Sequence, residues 1–166
     1  QRWGAAVIDA DRIGHQMLEL RKKDAVQLFG KGILKGSRIN RKMLGERCFS
    51  HPEEMRLLNT LLHPLMIQEM MRQSSRWKKR IVVIDAALYD ELQLSAISDA
   101  VVLVRAKKDI VCRRMKGMNA EQLDKIRNLQ REPSSFDFCI QNNGSRKLLE
   151  EAARAVWRNV FDHCAD

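Results

Sequence analysis

The sequence predicts an α/β fold in which a parallel sheet is flanked by helices, and two observations support this prediction. Three short apolar runs, residues 5–8, 81–85 and 100–104, are continuous instead of alternating with polar residues, which is typical of strands covered on both faces in a parallel sheet. Segments with helical periodicity separate these runs, and strands that alternate with helices are characteristic of α/β proteins.

The remaining elements follow from the same patterns. A weaker fourth strand is predicted at residues 138–140, before a turn signal. Helices are predicted at residues 12–29, 41–49, 53–77, 109–118, 120–129 and 146–161, with an interruption or kink at His63-Pro64, because proline removes a helical hydrogen bond. About 70 residues separate the first two strands, too many for a simple crossover, so a helical insertion is expected there.

The bulk properties narrow the class of protein. The 166 residues suffice for one globular domain, and they contain no apolar run long enough to span a membrane. A net charge of +9 favours polyanionic partners, either nucleic acid or phosphorylated small molecules. The four cysteines are far apart and lack metal-ligand spacing, so we expect free thiols in a reducing, cytoplasmic compartment and no structural zinc.

Charged residues follow the predicted strands at their carboxyl ends, where open parallel sheets bind ligands. Asp9 and Asp11 follow the first strand, Asp85 and the loop to Glu91 follow the second, and residues 105–108 follow the third. Acidic and basic groups are therefore expected at one edge of the sheet. From these residues alone, Asp11 is either a helix cap, a metal ligand together with Asp9, or a catalytic base.

Six segments carry a resemblance to a known family: VIDADRI (7–13), RINRKMLGERCF (38–49), LLNTLLHPLMIQEM (57–70), VVIDAALYDEL (82–92), DAVVLVRA (99–106) and CIQNNG (139–144). In their order and approximate spacing, the chain resembles the dephospho-CoA kinase family. The resemblance implies a P-loop NTPase-like fold as a single domain over residues 1–166, with a helical acceptor-binding insertion at 12–77 and a short helical lid at 107–133.

The resemblance also implies an activity. The family transfers the ATP γ-phosphate to the ribose 3′-hydroxyl of dephospho-CoA, the last step of coenzyme A biosynthesis, with Mg²⁺ as cofactor. The expected partners are therefore ATP and dephospho-CoA, with no membrane and no nucleic acid. Only 5% of the residues are aromatic, which disfavours a nucleic-acid binder. Two alternatives stay open, a nucleoside or nucleotide kinase with another acceptor and a non-catalytic relative that binds CoA or nucleotide.

Roles on the acceptor side follow from the matched motifs. Asp11 matches the base that accepts the proton of the ribose hydroxyl, while Asp9 either holds Mg²⁺ through water or fixes the loop. Arg41 matches an arginine that would face an acceptor phosphate, or it is a surface residue. His63 would donate to the substrate or to Asp11, or it is structural. Glu91 lies in the acidic loop of the acceptor site.

Roles on the nucleotide side centre on the lid. Arg113 matches the lid arginine nearest the phosphates and is the second expected catalytic residue. Where the family usually has another arginine, this chain has Gly117, and Arg114 or Lys116 would substitute for it. Residues 131–136 form a shorter segment than in the family pattern and, apart from Arg131, contain no arginine, so the lid is expected to be trimmed or incomplete.

The remaining nucleotide contacts are expected from two loops. Asn142 and Asn143 match the loop that lies against the adenine of ATP, although Asn-Asn-Gly is also an ordinary turn. The family's glycine-rich phosphate loop, which ends in Gly-Lys-Ser or Gly-Lys-Thr and follows a central strand, has no match in the 166 residues. We therefore expect an N-terminal extension that carries it, and expect the 166 residues alone to be inactive.

Overall fold

The computed structural model describes residues 3–77, 81–115 and 120–164. The chain forms two compact units, Gln1–Ala87 and Leu88–Asp166. Across the described residues, we find no helix with the length and apolar character needed to cross a membrane.

The first unit contains a pair of parallel strands and the predicted helical insertion between them. Strands β1 and β4 pair in parallel register, and a short antiparallel hairpin, β2 and β3, lies within the insertion. The elements of this unit are β1 (Ala6–Asp9), α1 (Ala10–Leu20), α2 (Lys22–Phe29), β2 (Leu34–Lys35), β3 (Arg38–Ile39), α3 (Arg41–Ser50), α4 (Pro52–Ser74) and β4 (Val82–Asp85).

Helix α1 packs closely on helix α4 at a glycine. A Cβ atom at Gly14 would lie 3.3 Å from Cε of Met66, so the missing side chain lets the two helices approach. Ile13 on α1 and Met70 on α4 are both fully buried. Burial of apolar side chains such as these stabilises the helical layer that α1 and α4 form.

An arginine ties three helices of the insertion together. From α3, the Arg47 side chain donates two hydrogen bonds to the Glu54 carboxylate at the start of α4, at 2.6 and 2.5 Å. It also donates to the carbonyl of Phe29 at the end of α2, at 2.7 Å. The hydrogen bond from Arg47 lowers the pKa of Glu54, and this charge-assisted fork fixes where α4 begins.

Helix α4 corrects one expectation. Pro64 lies inside a single helix of 23 residues, so the His63-Pro64 dipeptide does not interrupt it. Proline removes only one main-chain donor, and packing against α1 supports the residues on both sides. Residues 75–77, predicted as the end of this helix, form a 3₁₀ turn.

The second unit contains another parallel pair, β5 and β6, in the register Val102↔Phe138 to Arg105↔Gln141. Its elements are β5 (Val102–Arg105), α5 (Lys108–Arg114), α6 (Ala120–Leu129), β6 (Phe138–Gln141) and α7 (Arg146–Cys164). The weak fourth strand is thus confirmed. Helix α5 ends at Arg114, and the predicted helix junction at Gly117, together with Lys116, lies outside the described residues.

The strands are less covered than predicted. Val7 and Val83 lie opposite each other in register, and both are 41% exposed. Val102 and Val104 of β5 are also partly exposed, while Ile8 and Ile140 are buried. Within the described residues, the β1–β4 pair is therefore covered mainly on one face, and the expectation of strands buried on both faces is wrong for these valines.

We expect Ile13→Ala to lower the free energy of unfolding by about 2–5 kcal/mol, because it leaves a cavity where α1 meets the core. Leu20→Ala is the matched control, since Leu20 lies on the same helix but is 72% exposed, and its effect should stay within about 0.5 kcal/mol. Urea unfolding followed by circular dichroism measures both. Equal effects of the two substitutions would contradict this assignment of the core.

Candidate functional site

Three carboxylates lie at the carboxyl ends of the first strand pair. Asp9 ends β1 and Asp85 ends β4, and the two are partners in the parallel register. Asp11 follows two residues later, in the first turn of α1. All three residues are exposed, so they can meet a ligand at this edge of the sheet.

The structure separates the roles of Asp9 and Asp11. Asp9 is the N-cap of α1, and its Oδ1 accepts a hydrogen bond from the main-chain N–H of Arg12 at 2.8 Å. Asp11 is inside the helix and makes no ion pair or hydrogen bond through its carboxylate with any described residue. The capping role that the sequence left open for Asp11 thus belongs to Asp9, and the Asp11 carboxylate is available for chemistry.

His63 and Asp11 both lie one helical turn before the contact between α1 and α4. Asp11 precedes Gly14 by three residues and His63 precedes Met66 by three, and residues three apart share a helix face. Gly14 and Met66 are the residues in contact. His63 is half-buried, so part of its side chain packs within the protein and part is accessible to a ligand.

Arg41 is an exposed residue that begins α3, directly after the N-cap Asn40. Among the described residues it has no ion-pair partner. Its guanidinium is therefore available to an anion, but no described contact links it to Asp9 or Asp11.

Glu91 of the second unit carries an unsatisfied buried atom. Its Oε2 is buried and has no hydrogen-bond partner among the described residues. The neighbours Leu92 and Leu94 are each only 1% exposed, and Gln93 between them has a left-handed φ of 50°. Leaving a carboxylate oxygen without a donor is costly, and backbone strain of this kind clusters at ligand sites.

The predicted nucleotide residues form one connected cluster. Arg114 donates to the carbonyl of Asn142 at 2.9 Å, to Oδ1 of the same residue at 3.0 Å, and to the carbonyl of Gly144 at 2.8 Å. Asn143 accepts a hydrogen bond from the main-chain N–H of Lys107 at 2.7 Å. The structure therefore brings together Arg114, Asn142 and Asn143, which the sequence had related only through a resemblance.

Arg113 has a different binding partner from Arg114, the next residue on α5. Its guanidinium forms an ion pair with Asp109 one turn earlier on α5, at 2.8 Å, and its side chain is 70% exposed. It makes no described contact with the loop that Arg114 binds. An exposed pair of this kind contributes little to stability, so Arg113 can exchange Asp109 for another anion at small cost.

Helix α6 of the lid region is attached to the end of β5 by charged contacts. Lys108 pairs with Asp124 at 2.6 Å, and Arg127 donates to the carbonyl of Ala106 at 2.8 Å. Arg105 holds the Glu132 carboxylate through two hydrogen bonds, and this contact lowers the pKa of Glu132. The contacts keep α6 beside the loop that carries Lys107.

The sequence analysis gave no functional role to two aspartates, Asp85 of the first unit and Asp90 of the second. The sequence places Asp85 at the end of the second apolar run and within the segment 82–92 but assigns it no role. The available signal was that this run, like β1, ends in aspartate. Asp90 accepts a hydrogen bond from the main-chain N–H of Ser134 at 2.8 Å, across 44 residues. No sequence pattern indicates this hydrogen bond between Ser134 and Asp90.

The carboxylates at the first strand pair fit a hard divalent cation, because aspartate oxygens are its preferred protein ligands. Within the described residues, however, no three acidic, histidine or cysteine residues are grouped so that they could hold a metal by themselves. The donor set therefore suits Mg²⁺ bound by one or two carboxylates together with substrate phosphates and water.

Comparison with known proteins gives a consistent result. The family model of dephospho-CoA kinases matches residues 1–147. The chain is 34% identical over 165 residues to a dephospho-CoA kinase of Wolinella succinogenes, covering 93% of this chain and 82% of that one. It is 30% identical over 174 residues to a dephospho-CoA kinase of Corynebacterium diphtheriae, covering 95% and 86%.

Solved structures share the fold. A Thermus thermophilus protein, TT1252, matches with a TM-score of 0.79 at 25% identity, covering 95% of this chain and 86% of that one. The dephospho-CoA kinase from Campylobacter jejuni matches in fold with a TM-score of 0.66 at 22% identity, covering 96% and 86%. These matches confirm the predicted P-loop NTPase-like α/β fold class. The chain belongs to the dephospho-CoA kinase family of ATP-dependent phosphotransferases.

Proposed function

We propose that the protein transfers the γ-phosphate of ATP to the ribose 3′-hydroxyl of dephospho-CoA, with Asp11 as the general base. The observation that carries the assignment of the base is the hydrogen bond from Arg12 N–H to Asp9. Because Asp9 caps α1 by accepting this hydrogen bond, the Asp11 carboxylate is not needed as a cap. It is exposed and makes no hydrogen bond or ion pair with a described residue. A ribose hydroxyl is a poor nucleophile, and a carboxylate within hydrogen-bond reach orients it and accepts its proton.

Asp9 and Asp85 are the residues that we propose to hold Mg²⁺. They lie side by side at the strand ends, and bound Mg²⁺ would neutralise charge on the phosphates. One carboxylate oxygen of Asp9 accepts the hydrogen bond from Arg12 N–H. Only its other oxygen is therefore available to a water molecule that Mg²⁺ would bind. Asp85, by contrast, has no described hydrogen bond through its carboxylate.

The acceptor is proposed to bind through three residues of different chemistry. Arg41 offers an exposed cation to a phosphate of the acceptor, as guanidinium groups do well. His63 offers a ring nitrogen near the contact between α1 and α4. Glu91 has a buried oxygen that accepts no hydrogen bond from a described residue, so it would accept one from the substrate.

ATP is proposed to bind with its adenine against Asn142 and Asn143. The cluster that positions these residues includes Arg114. Arg113 is the proposed cation for the phosphates, since its exposed ion pair with Asp109 is easily exchanged for another anion.

We also place the protein in the cytoplasm. Cys48, Cys112 and Cys139 are free thiols, as expected in a reducing compartment.

Asp11→Asn is expected to lower kcat by about 100- to 10,000-fold in the full-length protein, because asparagine cannot accept the hydroxyl proton. Helix α1 should remain folded, since its cap is Asp9. Steady-state kinetics with ATP and dephospho-CoA measure the loss, and circular dichroism monitors folding. Glu19→Gln, which neutralises another exposed carboxylate of α1, is the control and should leave kcat unchanged. Near-normal turnover of Asp11→Asn would remove Asp11 from the role of base.

Acceptor profiling tests the substrate directly. Full-length protein with ATP is offered dephospho-CoA, nucleosides and nucleoside monophosphates, and ADP formation is recorded together with the phosphorylated product. We expect ADP only with dephospho-CoA. Phosphorylation of a nucleoside instead would assign a different kinase, and binding of dephospho-CoA without ADP formation would assign a non-catalytic relative.

Asp85→Asn is expected to raise the Mg²⁺ concentration for half-maximal activity by about 10-fold, because a carboxylate near the cation is replaced by a neutral amide. Activity measured against total Mg²⁺ at fixed ATP gives this value, and a chelator should abolish turnover. The control is Asp99→Asn, which neutralises an exposed aspartate before β5. An unchanged Mg²⁺ dependence of Asp85→Asn would show that Asp85 is not at the cation site.

A further inference from the structure

The turn between β6 and α7 is fastened to helix α5 by one arginine. Three hydrogen bonds run from the two terminal nitrogens of Arg114 to this turn: to both oxygens of Asn142 and to the carbonyl of Gly144. Guanidinium groups bind planar sets of oxygens in a fixed geometry. Both terminal nitrogens are thus engaged with protein oxygens, which leaves Arg114 poorly suited to contact phosphates.

The contact also determines how the Asn142 amide is oriented. A guanidinium can only donate hydrogen bonds, so the group that faces Arg114 must be the amide oxygen, Oδ1, and not the amino group. The Nδ2 amino group of Asn142 therefore points elsewhere, and it makes no hydrogen bond to a described residue. Asn142 presents an N–H donor in a fixed direction.

Other contacts hold the turn independently of Arg114. The main-chain N–H of Asn142 donates to the Arg105 carbonyl at 2.7 Å, and Asn143 accepts from Lys107 N–H at 2.7 Å. A Cβ atom at Gly144 would lie 2.8 Å from Cδ1 of Leu148, so the turn packs tightly on α7. Removal of the Arg114 side chain should free the Asn142 amide while the turn stays in place.

We propose that Arg114 is a positioning residue for base selection: it locks the Asn142 amide so that this amide offers a donor, and not an acceptor, to the purine. This inference rests on the proposed placement of the ATP base at Asn142. The adenine ring edge has an acceptor at N1, whereas guanine carries N1–H there. A locked donor favours adenine, while an amide free to rotate by 180° can also present its oxygen to guanine.

The first test is Arg114→Ala in the full-length protein. We expect the KM for ATP to rise by about 10-fold, and the preference for ATP over GTP, taken as the ratio of kcat/KM values, to fall by about 10-fold. The kcat with ATP and the KM for dephospho-CoA should change by less than about 2-fold. Arg154→Ala is the matched control, since it removes an exposed arginine paired with Glu150 on α7 and should alter none of these values.

The second test keeps the tether and changes what Asn142 offers. Asn142→Asp retains an oxygen for Arg114 but replaces the amino donor with a second acceptor. We expect the preference to shift towards GTP by about 10-fold or more, because aspartate can accept from guanine N1–H. Calorimetric titration with ADP and GDP measures the same preference without turnover, and thermal melting checks that both variants fold.

Three outcomes would overturn the inference. A fall in kcat for Arg114→Ala at unchanged KM for ATP would assign Arg114 to the phosphates, and an equal loss for ATP and GTP would assign it to loop structure alone. Unchanged base preference in both variants would remove the role. Failure of the proposed acceptor is distinguishable, because ADP and GDP titrations report on Arg114 even if dephospho-CoA is not the substrate.

Discussion

The hydrogen bond between Asp9 and the N–H of Arg12 is the contact on which the proposed acceptor chemistry depends. It turns the end of β1 directly into α1 without a connecting loop. That abrupt turn places Asp11 in the first helical turn, close to the edge where Asp9 and Asp85 lie side by side. A longer connection would separate the proposed base, Asp11, from the other carboxylates.

The second unit uses the same kind of division between neighbouring side chains. Asn142 binds Arg114 through its oxygen and keeps its amino group available, just as Asp9 takes the capping role and leaves Asp11 available. Arg113 and Arg114 are also adjacent, yet one pairs with Asp109 at the surface and the other holds the turn after β6. In each pair, one residue supplies rigidity and the other supplies an accessible polar group, which is how preorganised sites are supported.

Much of the fold was predictable because strands and helices of this chain have strong local signals. The apolar runs, the closing helix and the position of the insertion all follow from periodicity, and the aspartates at strand ends follow from the general location of ligand sites in α/β sheets. The continuity of α4 through Pro64 was not predictable, since packing at Gly14 and Met66 outweighs one lost hydrogen bond. Partial exposure of Val7 and Val83 likewise depends on what covers a strand face.

The amino-acid sequence by itself determined the α/β class, the family resemblance and the set of residues worth testing, because these depend on residue type, order and spacing. Only the tertiary structure decided the contacts of each member of a pair. Asp9 caps α1 while the Asp11 carboxylate has no partner among the described residues, and Arg114 is bound to the turn after β6 while Arg113 pairs with Asp109. The tertiary structure also placed Asp85 beside Asp9 and left one oxygen of Glu91 without a hydrogen-bond partner among the residues that the structure describes. The reason is physical: strand register, burial and hydrogen-bond partners join residues 28 to 76 positions apart, and local sequence patterns carry no information about such distances.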